Sequence, residues 1–334
     1  MPKVSILMPV YNAERYLAQA IDSIINQSFT DWELIIINDG STDQSKSIIE
    51  SYNDPRIKHY ENEANLKLIK TLNKGIGLCT GEYIARMDSD DISQPERLQI
   101  QVDFLDKHPS YVMCGTNARV VDNGGKKIGK IRNLKRNNFL QINLLFSNPF
   151  VHPSVVIRRK ALENNHYDEY FKHIEDYELW CRVALEGKIA NICKDLILYR
   201  WHSSNVSVVH NDMQMLLKNE VVKQQLQELD IIPTEKELYC HRITFRLYVW
   251  GKKQNVSVED FDDVDKWFSK LIRINRRKER YSQPDFIAYL WSRWIVLCIS
   301  QKKYGKMFKP RFASYKLPIL WKVFGMVYYL SKKK

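Results

Sequence analysis

The chain has 334 residues, of which 44% are hydrophobic and 27% are charged, a balance that excludes a disordered protein and permits a full α/β core. Residues 1–210 contain 26 basic and 26 acidic residues, whereas residues 211–334 contain 25 basic and 13 acidic residues. A basic segment beside a neutral domain indicates an anionic partner, either a membrane surface or a nucleic acid. The six scattered cysteines include no C-x-x-C pair, which argues against a zinc site and a disulfide framework.

Residues 1–90 alternate short apolar runs with helical patterns. Strands are predicted at residues 4–8, 32–37, 57–60 and 83–87, and helices at residues 12–27, 43–52 and 66–79. Asn12 has the residue type of a helix cap, and residues 32–37 are apolar apart from Glu33, as in a strand covered on both faces. The alternation predicts a mostly parallel central sheet of Rossmann-like α/β type, flanked by helices and connected by right-handed crossovers.

Polar clusters follow three of the predicted strands. They are Tyr11-Asn12, Asp39-Gly40-Ser41 and Asp88-Ser89-Asp90-Asp91. In a parallel α/β sheet, ligands bind outside the carboxyl ends of the strands. We therefore expect the three clusters to open into one crevice.

Beyond residue 110 the pattern is first mixed and then helical. A hairpin signal lies at Asn123-Gly124-Gly125, a strand is predicted at residues 154–157, and a helix is predicted near residues 176–186. After about residue 210, helical patterns with aromatic and basic residues dominate. We predict an α/β domain over residues 1–210 and a mainly helical, basic region over residues 211–334.

The run Asp88-Ser89-Asp90-Asp91 points to a divalent cation. In an extended segment, residues two apart point the same way, so Asp88 and Asp90 can both face the crevice. Carboxylates that close repel each other unless a cation lies between them, and a hard divalent ion held by carboxylates and substrate phosphates meets that need. The alternative is a solvated acidic turn in which Asp91 caps the next helix.

Four segments of the chain resemble glycosyltransferase family 2, an inverting family that uses nucleotide sugars and has the GT-A fold. They are Pro9-Val10-Tyr11-Asn12, Asn38-Asp39-Gly40-Ser41-Thr42-Asp43, Arg86-Met87-Asp88-Ser89-Asp90-Asp91 and Glu175-Asp176-Tyr177-Glu178-Leu179-Trp180. The match follows the family's order over roughly residues 3–210. Four motifs in order are much more specific than any one of them alone.

The resemblance implies a nucleotide-sugar site with a bound Mn²⁺ or Mg²⁺. Tyr11, Glu14 and Asp39 would contact the base and the ribose of the donor. Asp90 would ligate the cation that bridges the diphosphate, with Asp88 as a second ligand near the ribose. The other positions assigned to the nucleotide sugar are Pro9, Asn12, Asn65, Lys70 and Ser89. Lys67 departs from the family pattern, because many members have Gly there.

The resemblance also implies that Asp176 is the general base, with Glu175 beside it in the catalytic site. Sugar transfer passes through an oxocarbenium-like state, so the attacking hydroxyl needs a carboxylate to take its proton. Asp176 falls in the first turn of a predicted helix, whose dipole favours the ionised carboxylate. On the acceptor side, the family pattern implies His152 and Trp180.

Residues 199–207 follow a strand-like run and could close over the diphosphate. The donors that a phosphate needs would come from Arg200, His202 and Ser207. Ile197 stands where processive polysaccharide synthases have the Gln of a Q-x-x-R-W box, which favours transfer of a single sugar. A uridine diphosphate sugar is the default donor of the resembling family, and a glycan or lipid-linked saccharide in surface polysaccharide synthesis is the expected acceptor.

The basic C-terminal region suggests a membrane surface. No stretch approaches 18 uncharged apolar residues, and the N-terminus has a strand pattern and lacks the pattern of a secretory signal. Residues 290–297 and 317–330 mix aromatic and apolar residues with nearby Lys and Arg, as in segments that lie in a membrane interface. We expect a cytoplasmic enzyme held peripherally at the inner face of the cell membrane. The alternative is that these aromatic residues pack within the fold.

Two other classes of protein remain open. A sugar-nucleotide pyrophosphorylase would share the α/β core, but it needs a Gly-rich loop bearing Arg and Lys after the first strand, where this chain has Pro9-Val10-Tyr11-Asn12. A nucleic-acid-binding protein would fit the basic tail, but the α/β domain has no excess positive charge, and neither a zinc finger nor an RNA-recognition signature is present. We expect no nucleic-acid partner.

Overall fold

The computed structural model describes residues 1–202, 211–245, 248–249, 252–253, 256–307 and 310. The chain forms two compact units, one of residues 1–135 and 149–217 and the other of residues 136–148 and 218–334. The first unit contains a nine-stranded sheet, and the described part of the second is mainly helical. The predicted fold class is therefore confirmed.

The sheet of the first unit combines a parallel half with a mixed half. Its strands are β1 (Val4–Val10), β2 (Trp32–Asn38), β3 (Ile57–Glu61), β4 (Tyr83–Arg86), β5 (Ile92–Ser93), β6 (Tyr111–Val121), β7 (Lys127–Ile131), β8 (Val156–Arg158) and β9 (Lys188–Arg200). Their order is β3-β2-β1-β4-β8-β6-β9-β5, with β7 paired to β6. Strands β3, β2, β1 and β4 are parallel, so their carboxyl ends meet at one edge.

Eleven α-helices lie in the described residues. They are α1 (Leu17–Ile25), α2 (Ser45–Glu50), α3 (Leu68–Leu78), α4 (Arg97–Lys107), α5 (Asn137–Leu144), α6 (Arg159–Leu162), α7 (Glu175–Glu186), α8 (Asn211–Gln227), α9 (Glu235–Ile243), α10 (Val258–Lys278) and α11 (Gln283–Ser300). Short 3-10 helices span His152–Ser154, Glu169–Phe171 and Tyr304–Lys306. Strands β10 (Tyr248–Val249) and β11 (Lys252–Lys253) form a separate antiparallel pair.

The predicted strands are present, but the first helices are shorter than expected. The prediction that Asn12 caps the first helix is wrong, because α1 begins at Leu17 and Asn12 has a φ of 48°. The Asn12 side chain instead accepts a hydrogen bond from the Thr42 backbone N–H at 2.9 Å. Helix α3 likewise begins at Leu68, because Lys67 has a φ of 72° that no helix permits.

The parallel strands form the core because both of their faces are covered. Every residue of β1 and β2 is buried, and α1 packs Leu17, Ala20, Ile21 and Ile24 against them. Glu33, the polar residue of β2, is buried with a complete set of partners. It accepts hydrogen bonds from Ser5 Oγ at 2.6 Å, Lys58 Nζ at 2.6 Å and Thr80 Oγ1 at 2.7 Å.

The predicted hairpin is the turn between β6 and β7. Asp122 Oδ1 accepts hydrogen bonds from the backbone N–H groups of Gly124 and Lys126, both at 2.9 Å. Gly125 has a φ of 83°, a conformation that favours glycine over other residues. The strand predicted at residues 154–157 is β8, whose start is shifted by the 3-10 helix at His152–Ser154.

In the second unit, the segment 136–148 packs with the C-terminal helices. The His241 ring stacks on Phe146 with centroids 4.1 Å apart, and its Nε2 lies 2.9 Å from the Leu145 carbonyl oxygen. Asn143 Nδ2 donates to the Tyr289 hydroxyl at 2.9 Å. No local pattern links these residues to helices that lie 96 to 146 positions further along the chain.

Helix α11 corrects one membrane prediction. Residues 290–297 were expected at a membrane interface, but Leu290, Trp291, Trp294 and Leu297 are all buried within the second unit. Trp294 makes an edge contact with Phe261 of α10, with centroids 5.5 Å apart. The second such segment, residues 317–330, lies outside the described residues. Within the described part of the chain, no helix combines the length and apolarity needed to cross a bilayer.

Candidate active site

Three carboxylates converge after β4. Ligand oxygens of Asp88, Asp90 and Asp91 all lie within 4.8 Å of one another. The side chains of Asp88 and Asp90 are 31% and 28% exposed, whereas Asp91 is 1% exposed. Burial raises the pKa of Asp91 well above its ordinary value, and the charges of Asp90 and Asp88 raise that pKa further. Like charges at this spacing are unfavourable without a counter-ion.

The residues around this triplet fit a divalent cation. Asp91 Oδ2 is buried and has no hydrogen-bond partner among the described residues. His202 Nε2 lies 3.0 Å from Asp90 Oδ2, so an imidazole ring lies beside the carboxylates. Arg86, which is 4% exposed, donates to Asp88 Oδ1 from the other side. Carboxylate oxygens are donors that Mg²⁺ and Mn²⁺ accept.

Arg200 ends β9 next to the triplet and binds the protein chain. Its backbone N–H donates to Asp91 Oδ1 at 2.8 Å, and its Nε donates to the Asp90 carbonyl oxygen at 2.9 Å. Further donors reach the carbonyl oxygens of Asp122 and Asn123 and the side chain of Gln19. Arg200 therefore lies next to the triplet, and its contact with a diphosphate stays a prediction. Ser207, assigned to the same loop, lies outside the described residues.

The loops after β1 and β2 are joined to each other at the same edge. Asn12 N–H donates to Ser41 Oγ at 3.0 Å, and Glu14 Oε2 accepts from the Gln44 N–H at 2.9 Å. Tyr11 stands above them with 49% of its surface exposed. Pro9, by contrast, is buried inside β1. The exposed Tyr11 ring offers a surface on which a nucleobase could stack, as the sequence predicts.

Asp39 ties the segment before α3 to the sheet. Its Oδ1 accepts from Asn62 Nδ2 and from the Leu66 N–H, both at 2.8 Å, and its Oδ2 accepts from the Lys67 N–H at 2.9 Å. The Lys67 N–H also donates to Asn65 Oδ1 at 3.0 Å. Asp39 is 3% exposed, so its visible role is to shape this loop, and its contact with the donor remains a prediction.

The two acidic residues at the start of α7 have different surroundings. Asp176 is partly exposed and accepts a hydrogen bond from the Tyr177 N–H through Oδ1 at 2.7 Å. Glu175 is 6% exposed, and this burial, reinforced by the charge of Asp176, raises the pKa of Glu175 to about 7. Near neutral pH, Glu175 is therefore partly protonated.

Aromatic residues stand beside this pair. His152 Nε2 lies 2.9 Å from the Tyr167 hydroxyl, and the His152 ring meets Trp180 edge-on with centroids 5.8 Å apart. Trp180 is fully buried on α7. Burial, with the nearby charge of Arg86, holds the pKa of His152 well below its ordinary value, so the imidazole is neutral. Asn73 holds the Tyr167 backbone from α3, with hydrogen bonds of 2.8 and 2.9 Å.

The charges of Asp176 and of the acidic triplet both affect the pKa values of two tyrosines, Tyr167 and Tyr199. Burial raises the pKa of Tyr199, and the charges of Asp91, Asp88, Asp90 and Asp176 raise it further. The pKa of Tyr167 is also raised, first by burial and then by Asp176, Glu175 and Asp88, against the opposing charge of Arg86. Both carboxylate groups therefore act on the same side chains. That the triplet and Asp176 face one crevice stays a prediction.

The structure adds residues that the sequence did not single out. Asp91 joins Asp88 and Asp90, although its place in an acidic run was a visible signal. Tyr16, Gln19 and Tyr167 also contact predicted site residues. Two other residues predicted for the site are Lys70 and Ser89. Lys70 Nζ lies 3.6 Å from Glu169 Oε2, and Ser89 is partly exposed between the aspartates.

Comparison with known proteins agrees with this geometry. A family model described as glycosyl transferase family 2 matches residues 5–165. An uncharacterized glycosyltransferase of Haemophilus influenzae is 35% identical over 240 residues, which cover 68% of this chain and 73% of that protein. The O-antigen biosynthesis glycosyltransferase WbnJ of Escherichia coli is 34% identical over 209 residues, which cover 60% of this chain and 81% of that protein.

The fold has solved counterparts. The crystal structure of S. aureus TarS 1-349 in complex with UDP-GlcNAc is similar to this chain with a TM-score of 0.57 and 19% identity. The similarity covers 91% of this chain and 92% of that one. At this identity the likeness establishes the shared GT-A fold. Together with the matched family model and a glycosyltransferase relative 35% identical over 73% of its length, it shows that this chain belongs to glycosyltransferase family 2.

Proposed function

We propose that this glycosyltransferase is metal-dependent and inverting, and that it transfers a single sugar from a nucleotide diphosphate sugar to a hydroxyl acceptor. The observation that carries the proposal is the convergence of the Asp88, Asp90 and Asp91 carboxylates after β4, with ligand oxygens within 4.8 Å of one another. A carboxylate on one side and a cation site on the other are what an inverting transfer requires. The matched family model and the glycosyltransferase relative favour this reaction over the alternatives of a pyrophosphorylase and a nucleic-acid-binding protein.

The cation would be held by Asp90, Asp88 and Asp91, with His202 as a further donor. Bound there, Mn²⁺ or Mg²⁺ would act as a Lewis acid that stabilises the negative charge of the departing diphosphate. Arg86 keeps Asp88 oriented from behind through its hydrogen bond to Oδ1. The unpartnered Asp91 Oδ2 and the crowding of three carboxylates support this assignment.

Asp176 would take the proton of the attacking hydroxyl. It lies in the first turn of α7, where the helix dipole favours an ionised carboxylate. Glu175, with a pKa raised to about 7, keeps a neutral fraction beside it and so limits repulsion between the two. His152, neutral and held by Tyr167, and Trp180 would form the wall on which the acceptor is oriented.

The similar proteins support a choice of sugar donor and of cellular setting for the reaction. The neighbouring TarS structure contains UDP-GlcNAc, which supports a uridine diphosphate sugar as the donor. The relative WbnJ takes its name from O-antigen biosynthesis, which supports a glycan or lipid-linked saccharide of a surface polysaccharide as the acceptor. We propose that the enzyme works in the cytoplasm at the inner face of the membrane, held there by basic residues of the second unit.

Replacement of the base tests the proposal. Asp176→Asn should leave donor binding largely intact and slow turnover by about 10² to 10⁴-fold, because the amide cannot accept the proton. Turnover is measured as release of UDP from a panel of UDP-sugars with Mn²⁺, and donor binding as a thermal shift with each sugar. Glu186→Gln, the same chemical change at the other end of α7, is the control and should not alter turnover. Equal turnover of Asp176→Asn and wild type would remove Asp176 from the mechanism.

A further inference from the structure

Arg200 gathers three segments that are distant in sequence. Its Nε donates to the Asp90 carbonyl oxygen in the acidic loop, and its Nη1 reaches the Asp122 carbonyl oxygen at 3.2 Å in the turn between β6 and β7. Its Nη2 donates to Gln19 Oε1 on α1 at 3.1 Å. Arg200 is 2% exposed, so these contacts are made out of water and should be strong.

The ring of Tyr16 contacts both Arg200 and His202. The Arg200 guanidinium carbon is 4.1 Å from the Tyr16 ring centroid, a close cation–π contact. The His202 ring stacks with Tyr16 at an interplanar angle of 18°, with centroids 6.3 Å apart. The Tyr16 hydroxyl is buried and has no hydrogen-bond partner among the described residues. The side chain therefore acts through the faces of its ring.

These contacts reach three residues of the proposed cation site, Asp90, Asp91 and His202. Tyr16 and Gln19 both contact Arg200, and Arg200 in turn holds two groups of the acidic loop. Its Nε donates to the Asp90 carbonyl oxygen, and its backbone N–H donates to Asp91 Oδ1. Through its other contact, Tyr16 orients the His202 imidazole, whose Nε2 lies 3.0 Å from Asp90 Oδ2. Tyr16 and Gln19 therefore act on the cation site through Arg200 and His202.

We propose that Tyr16, Gln19 and Arg200 form a clamp that positions the cation ligands, so that affinity for a divalent cation depends on the start of α1. The proposal rests on the proposed cation site. It gives Arg200 a positioning role, because the guanidinium N–H groups are directed at the chain itself. Partners that orient metal ligands typically change metal affinity by about 10 to 100-fold when they are removed.

The test compares two substitutions at one position. Tyr16→Phe keeps both ring faces and loses a hydroxyl without a described partner, so the Kd for Mn²⁺ should stay within about twofold of wild type. Tyr16→Leu removes the ring and should raise the Kd about tenfold or more. Ile24→Val, which trims the buried face of α1, is the control for general loss of stability. Mn²⁺ binding is followed by electron paramagnetic resonance on the full chain, with and without UDP.

A second readout needs no metal. In the metal-free protein, Tyr16→Leu should speed hydrogen exchange at the amides of residues 88–93, whereas Tyr16→Phe should leave it unchanged. Equal Mn²⁺ affinity of the Phe and Leu variants, or a loss in Tyr16→Leu no larger than in Ile24→Val, would overturn the clamp. Asp90→Asn separates this result from the proposed function, because wild-type Mn²⁺ affinity in that variant would show that the cation site itself is misplaced.

Discussion

Lys67 lies immediately before α3 with φ 72° and ψ 162°, a region of backbone conformation that is occupied almost only by glycine. The conformation is enforced by Asp39, whose Oδ2 accepts from the Lys67 N–H at 2.9 Å and whose Oδ1 holds the preceding N–H. A glycine at this position would adopt the same conformation without the steric cost of a Cβ. A lysine there stores strain of about 1 to 3 kcal/mol.

We expect Lys67→Gly to stabilise the protein by about 1 kcal/mol, because relief of the strain exceeds the added entropy of glycine in the unfolded chain. Lys67→Ala keeps a Cβ and therefore the strain, and it serves as the control for loss of the ammonium group near the Tyr11 ring. The stabilities of the glycine and alanine variants are compared by the midpoints of their unfolding in urea. A glycine variant no more stable than the alanine variant would contradict this account.

At the same scale, the sequence could identify single residues but not their partners. Asp88, Asp90 and Asp176 are visible because each stands at a predicted strand end or helix start. The contact of Arg200 with Gln19 joins positions 181 residues apart, and no local pattern encodes it. Positioning contacts of this kind become visible only when the fold brings the segments together.

At the scale of elements, Glu33 is the acidic residue in the otherwise apolar strand β2. Burial alone would raise the pKa of Glu33, but hydrogen bonds from Lys58, Ser5 and Thr80 outweigh it and lower the pKa to about 2. The folded value lies below the unfolded one, so the resulting stabilisation is complete above about pH 4.5 and is lost as the pH falls toward about 2. The shift corresponds to about 3 kcal/mol.

Glu33→Gln should therefore lower the free energy of unfolding by about 2 to 3 kcal/mol at neutral pH. The difference from wild type should shrink as the pH is lowered from about 5 to about 2.5. Glu82→Gln is the matched control, because Glu82 is 51% exposed and its ion pairs should contribute less than about 1 kcal/mol. A difference between Glu33→Gln and wild type that is constant over this pH range would refute the prediction.

Elements differ in how far the sequence predicts them. Strands β1 and β2 were predicted almost to their ends, because continuous apolar runs mark strands that are covered on both faces. Helix α1 begins five residues later than predicted, because residues 12–16 are of types that a helix tolerates. Their hydrogen bonds go to the loop after β2, as in the contact of the Asn12 side chain with Thr42.

At the scale of the whole molecule, apolar residues that were predicted for a membrane interface lie inside the fold. Trp291 and Trp294 are buried in the second unit, so hydrophobic content alone misassigned them to a membrane surface. A group of basic residues at the end of α10 is exposed, comprising Arg273, Arg276, Arg277, Lys278 and Arg280. A truncation that removed these residues would cut through α10. Substitution of surface charges is the cleaner way to test membrane attachment.

We expect these five cations to hold the protein on anionic lipid, because each contributes about 1 kcal/mol near such a surface. Their replacement by Gln should abolish most co-flotation with vesicles of phosphatidylglycerol and phosphatidylcholine at low salt. The control replaces five exposed lysines of the first unit, which reduces the net charge equally: Lys107, Lys126, Lys127, Lys160 and Lys172. If both variants lose flotation to the same extent, net charge and not this surface governs binding. If neither loses it, the basic end of α10 is not a membrane contact, and attachment at the inner face must come from another part of the chain.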